Sequence, residues 1–178
     1  SAGAEDLYSF LEGRWGLKKR LEYRRGGHFG DWEGTACFSA HPAPSELPPG
    51  SSASAGAGWL LYQEDGTLQL EGIPRPMPSA GKDLLFDCGA DIPQVYFKED
   101  TIRHFHALPW PPAASEESSV VEATLESSSE SCDFAHPCGP DMYYGSFVVT
   151  GKDSFEMHWT IQGPKKDGNI SQWYTRLV

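Results

Sequence analysis

The chain has 178 residues, 39% of them hydrophobic and 12% aromatic, enough to close a real core within one domain. Twenty-five acids against 14 lysines and arginines give a formal charge of -11, which excludes general binding to nucleic-acid phosphates. No apolar run approaches the length of a membrane-spanning helix, and no secretory leader is visible, although a start without Met leaves a removed leader open.

The first element is a short helix in "EDLYSFLE", where Leu7, Phe10 and Leu11 recur at helical spacing. From Trp15 the period changes to two. Trp15, Leu17, Lys19, Leu21 and Tyr23 take one face; Arg14, Lys18, Arg20, Glu22 and Arg24 take the other. This is a strand with a solvated basic face, not a basic helix. Lys19 is the one charge on its apolar side, and a buried lysine needs a counter-charge, an open end or an anionic ligand.

A second strand follows in "DWEGTACFSA", with Trp32, Gly34, Ala36, Phe38 and Ala40 on one face. "WLLYQ" and "TLQLEGI" flank "EDG", which predicts a hairpin turn. "DLLFDC", "VYFK" and "TIRHFHAL" read as strands, the last two joined by a turn at "ED". "VVEATLE", "MYYGSFVVT", "SFEMHWTIQG" and "ISQWYTRL" complete the set. About ten strands in a meander predict an all-β fold, a single antiparallel barrel over residues 1–178 that closes to remove its sheet edges. Segments 41–58, 109–119 and 126–132, rich in Ser, Pro, Ala or Glu, are expected to be long mobile loops within that domain.

Gly13-Arg14-Trp15 at the entrance to the first strand and Arg176 on the last resemble the lipocalins and the wider calycin group. That resemblance implies that the tryptophan and the late arginine pack together and close one end of the barrel. The fuller pattern "FLEGRWGLKKRLEYR", "HPCGPDMYYGSF", "WTIQGPKKD" and "WYTR" is similar to a small, functionally uncharacterised calycin-like family. The resemblance implies a barrel and no reaction; more distant calycins bind fatty acids, retinoids, haem or bilins.

Several residues could carry chemistry. His104 and His106 stand at i and i+2, which places both on one strand face with Ile102 and Leu108. On a lumen wall they could hydrogen-bond a ligand or ligate a metal or haem iron; satisfied core histidines are the plainer reading. "HPCGPDMYYG" gathers His136, Cys138, Asp141 and Tyr143. There Asp141 either bonds the backbone beyond the Gly139-Pro140 turn or pairs with His136 as an acid–base couple. His104, His106, His136 and Cys138 form a conceivable metal set, far less specific than paired C-x-x-C knuckles. The cysteines, Cys37, Cys88, Cys132 and Cys138, make no compact disulfide framework, so reduced thiols in an intracellular, cytoplasmic setting are expected. Whether Cys132 pairs with Cys138 stays open at this point.

The leading expectation is a binding barrel for a small, partly apolar, anionic ligand, lipid-like or tetrapyrrole-like. Trp15, Lys19, His104, His106, Tyr143, Trp159 and Arg176 are its candidate contacts. One alternative is an enzyme of isomerase, lyase or hydratase type using His106, His136 or Asp141. The other is a plugged barrel acting as a protein-interaction module. No cofactor and no oligomeric state follow from the sequence.

Overall fold

The computed structural model describes residues 6–51, 58–110 and 130–178. The expected strand at 120–126 and most of the loop expected at 109–119 lie outside those residues. Helix α1 (Leu7–Leu11) starts where the Asp6 carboxylate accepts the Ser9 amide at 2.7 Å, and it buries Leu7, Phe10 and Leu11. Then come β1 (Gly13–Arg25), β2 (Phe29–His41), β3 (Trp59–Leu70), β4 (Met77–Ser79), β5 (Leu84–Asp87) and β6 (Gln94–Phe97). β7 (Arg103–Ala107), β8 (Glu130–Cys138), β9 (Asp141–Gly151), β10 (Ser154–Gln162) and β11 (Asp167–Arg176) complete the chain.

All strands pair antiparallel in one sheet of order β7-β6-β5-β3-β2-β1-β11-β10-β9-β8, with β4 added beside β3. The sheet curls into a nearly closed barrel. No backbone ladder joins β7 to β8 among the described residues; the His136 ring on β8 bridges them by donating from Nδ1 to the Phe105 carbonyl at 2.8 Å. Strand alternation sets the lining. Trp15 and Leu17 on β1, Trp32, Ala36 and Phe38 on β2 and Phe155, Met157 and Trp159 on β10 all join the inner core. The opposite face of β1 is solvated: Arg20 pairs with Asp31 and Glu71, and Arg24 with Asp167, exposed contacts of little energetic weight.

Three expectations are corrected. The "EDG" hairpin does not form, because β3 runs unbroken through Glu64-Asp65-Gly66. Gly66 faces Gly34 across the β2–β3 ladder. A Cβ on Gly34 would lie 2.1 Å from the Asp65 carbonyl, and one on Gly66 would lie 2.5 Å from the Trp32 ring. These glycines permit a close approach inside a sheet rather than a turn. Residues 130–132, expected in a loop, belong to β8. The short β4, within a proline-containing stretch, was not expected; it is tied down where Trp32 Nε1 donates to the Ser79 carbonyl at 3.1 Å. The Gly139-Pro140 turn does form as a two-residue hairpin, with Gly139 at the positive φ of 61° that such a turn asks of its first central residue.

The wall is uneven. β5, β6 and β7 have four, four and five residues, and Leu84 stands opposite Tyr62. They therefore cover only the half of β3 nearer α1, while β4 flanks the other half at Gly66–Leu68. Outside this short wall a second cluster, Trp59, Leu85 and Tyr96, packs with Leu47, Leu61 and Ile102. Leu47 comes from the segment expected as a mobile loop, so part of that segment is anchored on the sheet.

Candidate functional site

One end of the barrel is sealed. Trp15 is fully buried, and its indole Nε1 donates to the Leu11 carbonyl at 2.8 Å, seating α1 across the opening. The Arg176 guanidinium lies 4.3 Å from the Trp15 ring centroid, a cation–π contact. It also donates to the Phe10 and Glu12 carbonyls at the end of α1, and to Asp153 at 2.9 Å. Trp110 stacks on Phe10 from the far side. Trp15 and Arg176 thus form the plug that the calycin resemblance implied, and neither is among the residues lining the lumen cavity above it.

Above this plug lies a cavity of about 240 Å³. Nearly half of its lining residues are aromatic, including Phe38, Phe86, Phe97, Phe105, Tyr143 and Trp159. One side is polar. Lys19 reaches the Glu64 carboxylate at 2.5 Å, with its Nζ 4.7 Å above the Trp32 ring. The Tyr62 hydroxyl donates to the other Glu64 oxygen. It also meets the Tyr174 hydroxyl at 2.7 Å, and the Tyr174 oxygen lies 2.8 Å from the Gln172 side-chain amide. Burial holds both tyrosine hydroxyls well above the ordinary phenol range, so they stay protonated.

The histidine pair is split. Phe105 bulges out of the β6–β7 ladder, so His106 opposes Val95 while His104 opposes Tyr96. His106 turns inward and is buried, its Nδ1 donating to the Ala107 carbonyl at 2.8 Å. His104 is exposed, beside Gln94 at 2.7 Å and edge-on to Tyr96 of the outer cluster. Their expected common face is therefore corrected. Burial lowers the His106 pKa to about 4, so its ring is neutral at ordinary pH.

The second motif separates too. Asp141 is buried, and its Oδ1 accepts the backbone amides of Lys165 and Lys166 at 3.1 and 3.4 Å. His136 serves the β7–β8 seam, so the His136–Asp141 couple does not form. Cys138 is exposed at the hairpin. Among the described residues no three His, Cys, Asp or Glu side chains are placed to hold a metal ion. Cys132 and Cys138 do not bridge each other: they stand six residues apart on one strand, about 20 Å at the usual rise, too far for a disulfide. Of the candidate contacts, Lys19, His106, Tyr143 and Trp159 share the cavity.

The signature of a family of unknown function (DUF6314) matches residues 11–176. The chain belongs to that family. No curated protein matches it. Among solved structures it is similar to the S-type phycobiliprotein lyase CPES from Guillardia theta, with 6% identity and a TM-score of 0.55 over 96% of this chain and 90% of that one. This likeness concerns the fold alone, an antiparallel barrel. It also aligns with EF1p2_mFAP2b bound to DFHBI (9% identity, TM-score 0.37, 97% and 98% of the two chains). A third match is the redesigned β-barrel mFAP1 bound to DFHBI (11% identity, TM-score 0.36, 97% and 100%). Both are too distant to bear on the fold or the site. Among the described residues no helix is long and apolar enough to cross a membrane.

For this DUF6314 member, sequence reasoning missed Glu64, Tyr62, Tyr174 and Gln172 as site residues. A signal existed for the first two: Glu64 keeps the parity of Leu60, Tyr62 and Leu68 if β3 is read through the "EDG". Tyr174 shares parity with Arg176, and facing Trp15 fixes that pair inward.

Proposed function

We propose that the barrel binds a small, partly apolar, anionic molecule in its lumen, its body among the aromatic rings and its charged group toward the mouth. The observation that carries this reading is the aromatic cavity of about 240 Å³ with its built polar wall. Lys19 is already answered by Glu64, so it is not the anion's main partner. Lys166 suits that role: its ammonium bonds the cavity-lining Tyr143 hydroxyl at 3.1 Å and has no carboxylate partner among the described residues. Lys82, on the cavity wall and shared with Glu99, is a second cation at the mouth.

The size argues for a lipid-like chain or a compact aromatic acid. Ligand pockets usually run from about 300 to 1,000 Å³, so a tetrapyrrole would have to project past the short β5–β7 wall. Acid–base catalysis gains nothing from the geometry. A histidine lowered to about 4 is a weak base, and Asp141 is committed to two backbone amides. The lumen is not filled by its own side chains, which weighs against a plugged interaction barrel.

The test is thermal-shift and native mass spectrometry titration with medium-chain fatty acids, aryl-alkanoic acids and their neutral esters. Stabilisation by the acids, weakened in Lys166→Met for acids but not esters, is the expected outcome. If no compound binds at millimolar concentration and the purified protein carries none, the reading fails.

A further inference from the structure

The cavity holds one polar group that its own polar wall does not engage. His106 enters from β7, remote in sequence from the Lys19–Glu64–Tyr62–Tyr174–Gln172 network, and it lines the same space. Only 2% of the residue is exposed. Its ring is fixed in plane and in tautomer. It stacks on Phe134 at 4.0 Å with 9° between planes, and it meets Phe105 and Trp159 edge-on at 4.7 and 5.5 Å. Because Nδ1 donates to the Ala107 carbonyl, Nδ1 carries the proton of the neutral ring and Nε2 carries the lone pair. No protein group among the described residues bonds Nε2. The ring is therefore a preorganised hydrogen-bond acceptor set in an aromatic wall, where burial keeps it uncharged.

An acceptor so placed discriminates among ligands by chemistry. It favours a hydroxyl or an N–H at the ligand's buried end. A carboxylate would set lone pair against lone pair, and a methyl group would leave Nε2 unmatched in an apolar setting. We propose that His106 is the lumen's selectivity residue and that the natural ligand is a hydroxylated or N–H-bearing acid, its donor end on His106 Nε2 and its carboxylate at the mouth. This rests on the lumen-binding reading above and narrows its ligand class from plain fatty or aryl acids to those with a donor at the far end. The bulge at Phe105 of β7 acquires a purpose under this view. It turns His106 inward while leaving His104 on the outer surface, so the lumen holds one acceptor rather than two coupled imidazoles.

The experiment uses matched probes that differ only at the far end: para-hydroxyphenylpropanoate against para-methylphenylpropanoate, and a terminally hydroxylated dodecanoate against dodecanoate. Affinities are measured for the wild type, His106→Phe and His106→Gln, each checked for native near-ultraviolet dichroism. The wild type is expected to prefer the hydroxylated member of at least one pair by about ten-fold or more, as a matched buried acceptor requires. His106→Phe should abolish that preference, weakening the hydroxylated probe and relieving the penalty on the methyl probe, and His106→Gln, which retains an acceptor, should restore part of it. The nitrogen NMR resonance of Nε2 should shift with the hydroxylated probe and not with its partner. Equal affinity within both pairs, or a preference that survives His106→Phe, overturns the assignment while leaving lumen binding intact. Failure of every probe to bind the wild type removes the lumen-binding reading and the assignment together.

Discussion

Replacing Lys19 by Met should destabilise the barrel, and the cost follows from where Glu64 sits. The two side chains are 16% and 6% exposed, so the substitution leaves a nearly buried carboxylate without its cation. Breaking one partner of a buried pair commonly costs about 3–5 kcal/mol. The Tyr62 hydroxyl still donates to Glu64 in the variant, which places the expected loss at the lower end, about 3 kcal/mol. For a chain of this size, about 2–4 °C of melting temperature accompanies each kcal/mol, so a drop of about 6–12 °C is expected. Urea and thermal denaturation of Lys19→Met, Glu64→Gln and the double variant form the assay. The neutral double variant should recover to within about 1 kcal/mol of the wild type, since each partner's burial is costly only without the other. A loss under about 1 kcal/mol in Lys19→Met, or a double variant that simply sums the two single losses, would refute the claim that this pair compensates itself.

Three further outcomes are expected. The folded-state pKa of His106 lies below that of the unfolded chain, so the unfolded chain binds the proton first as pH falls. Stability should therefore hold above pH 6.5 and decline toward pH 4, by about 3 kcal/mol from this residue at full effect, and His106→Phe should flatten that part of a denaturation-versus-pH profile. Gly34→Ala should cost several times more than Gly16→Ala in urea denaturation. The first Cβ would lie 2.1 Å from a carbonyl oxygen, and the second would meet nothing nearer than 3.5 Å. Arg176→Met should lose about 2–3 kcal/mol in the same assay and make the α1 segment the first site of proteolytic cleavage, because the guanidinium holds two α1 carbonyls and the Trp15 face together.

Much of the fold was legible because one face of most strands is buried, and a period of two then shows directly in the residues. β1, β2 and β10 display this, each with aromatic residues on the inner side and charged or polar residues outside. The features that sequence reasoning misread are those set by a partner strand. Whether His104 and His106 share a face is decided by how β7 pairs with β6: Phe105 bulges out of that ladder, and no local pattern in "TIRHFHAL" records it. β8 escaped notice for a related reason. Cys132, Phe134 and His136 alternate inward, but Pro137 and the Ser-rich residues before them carry loop chemistry that outweighs a short alternation.

The "EDG" error leads to the most informative part of the molecule. Asp-Gly after a polar residue signals a turn only when the chain is free to reverse, and here β2 on one side and β5 with β4 on the other hold β3 straight. Held in the sheet, the same three residues do different work. Gly66 removes a side chain from the lumen beneath Trp32, opposite the equally bare Gly34. The Trp32 ring fills the space over Gly66 and carries the Lys19 ammonium above it at 4.7 Å, and the Lys19–Glu64 pair anchors the polar chain through Tyr62 and Tyr174 to Gln172. The cavity's polar wall thus depends on two absent side chains as much as on the five present. Filling either glycine should disturb the pair before it disturbs the aromatic wall, so the Lys19–Glu64 coupling energy is the sensitive readout of whether this lumen is built as described.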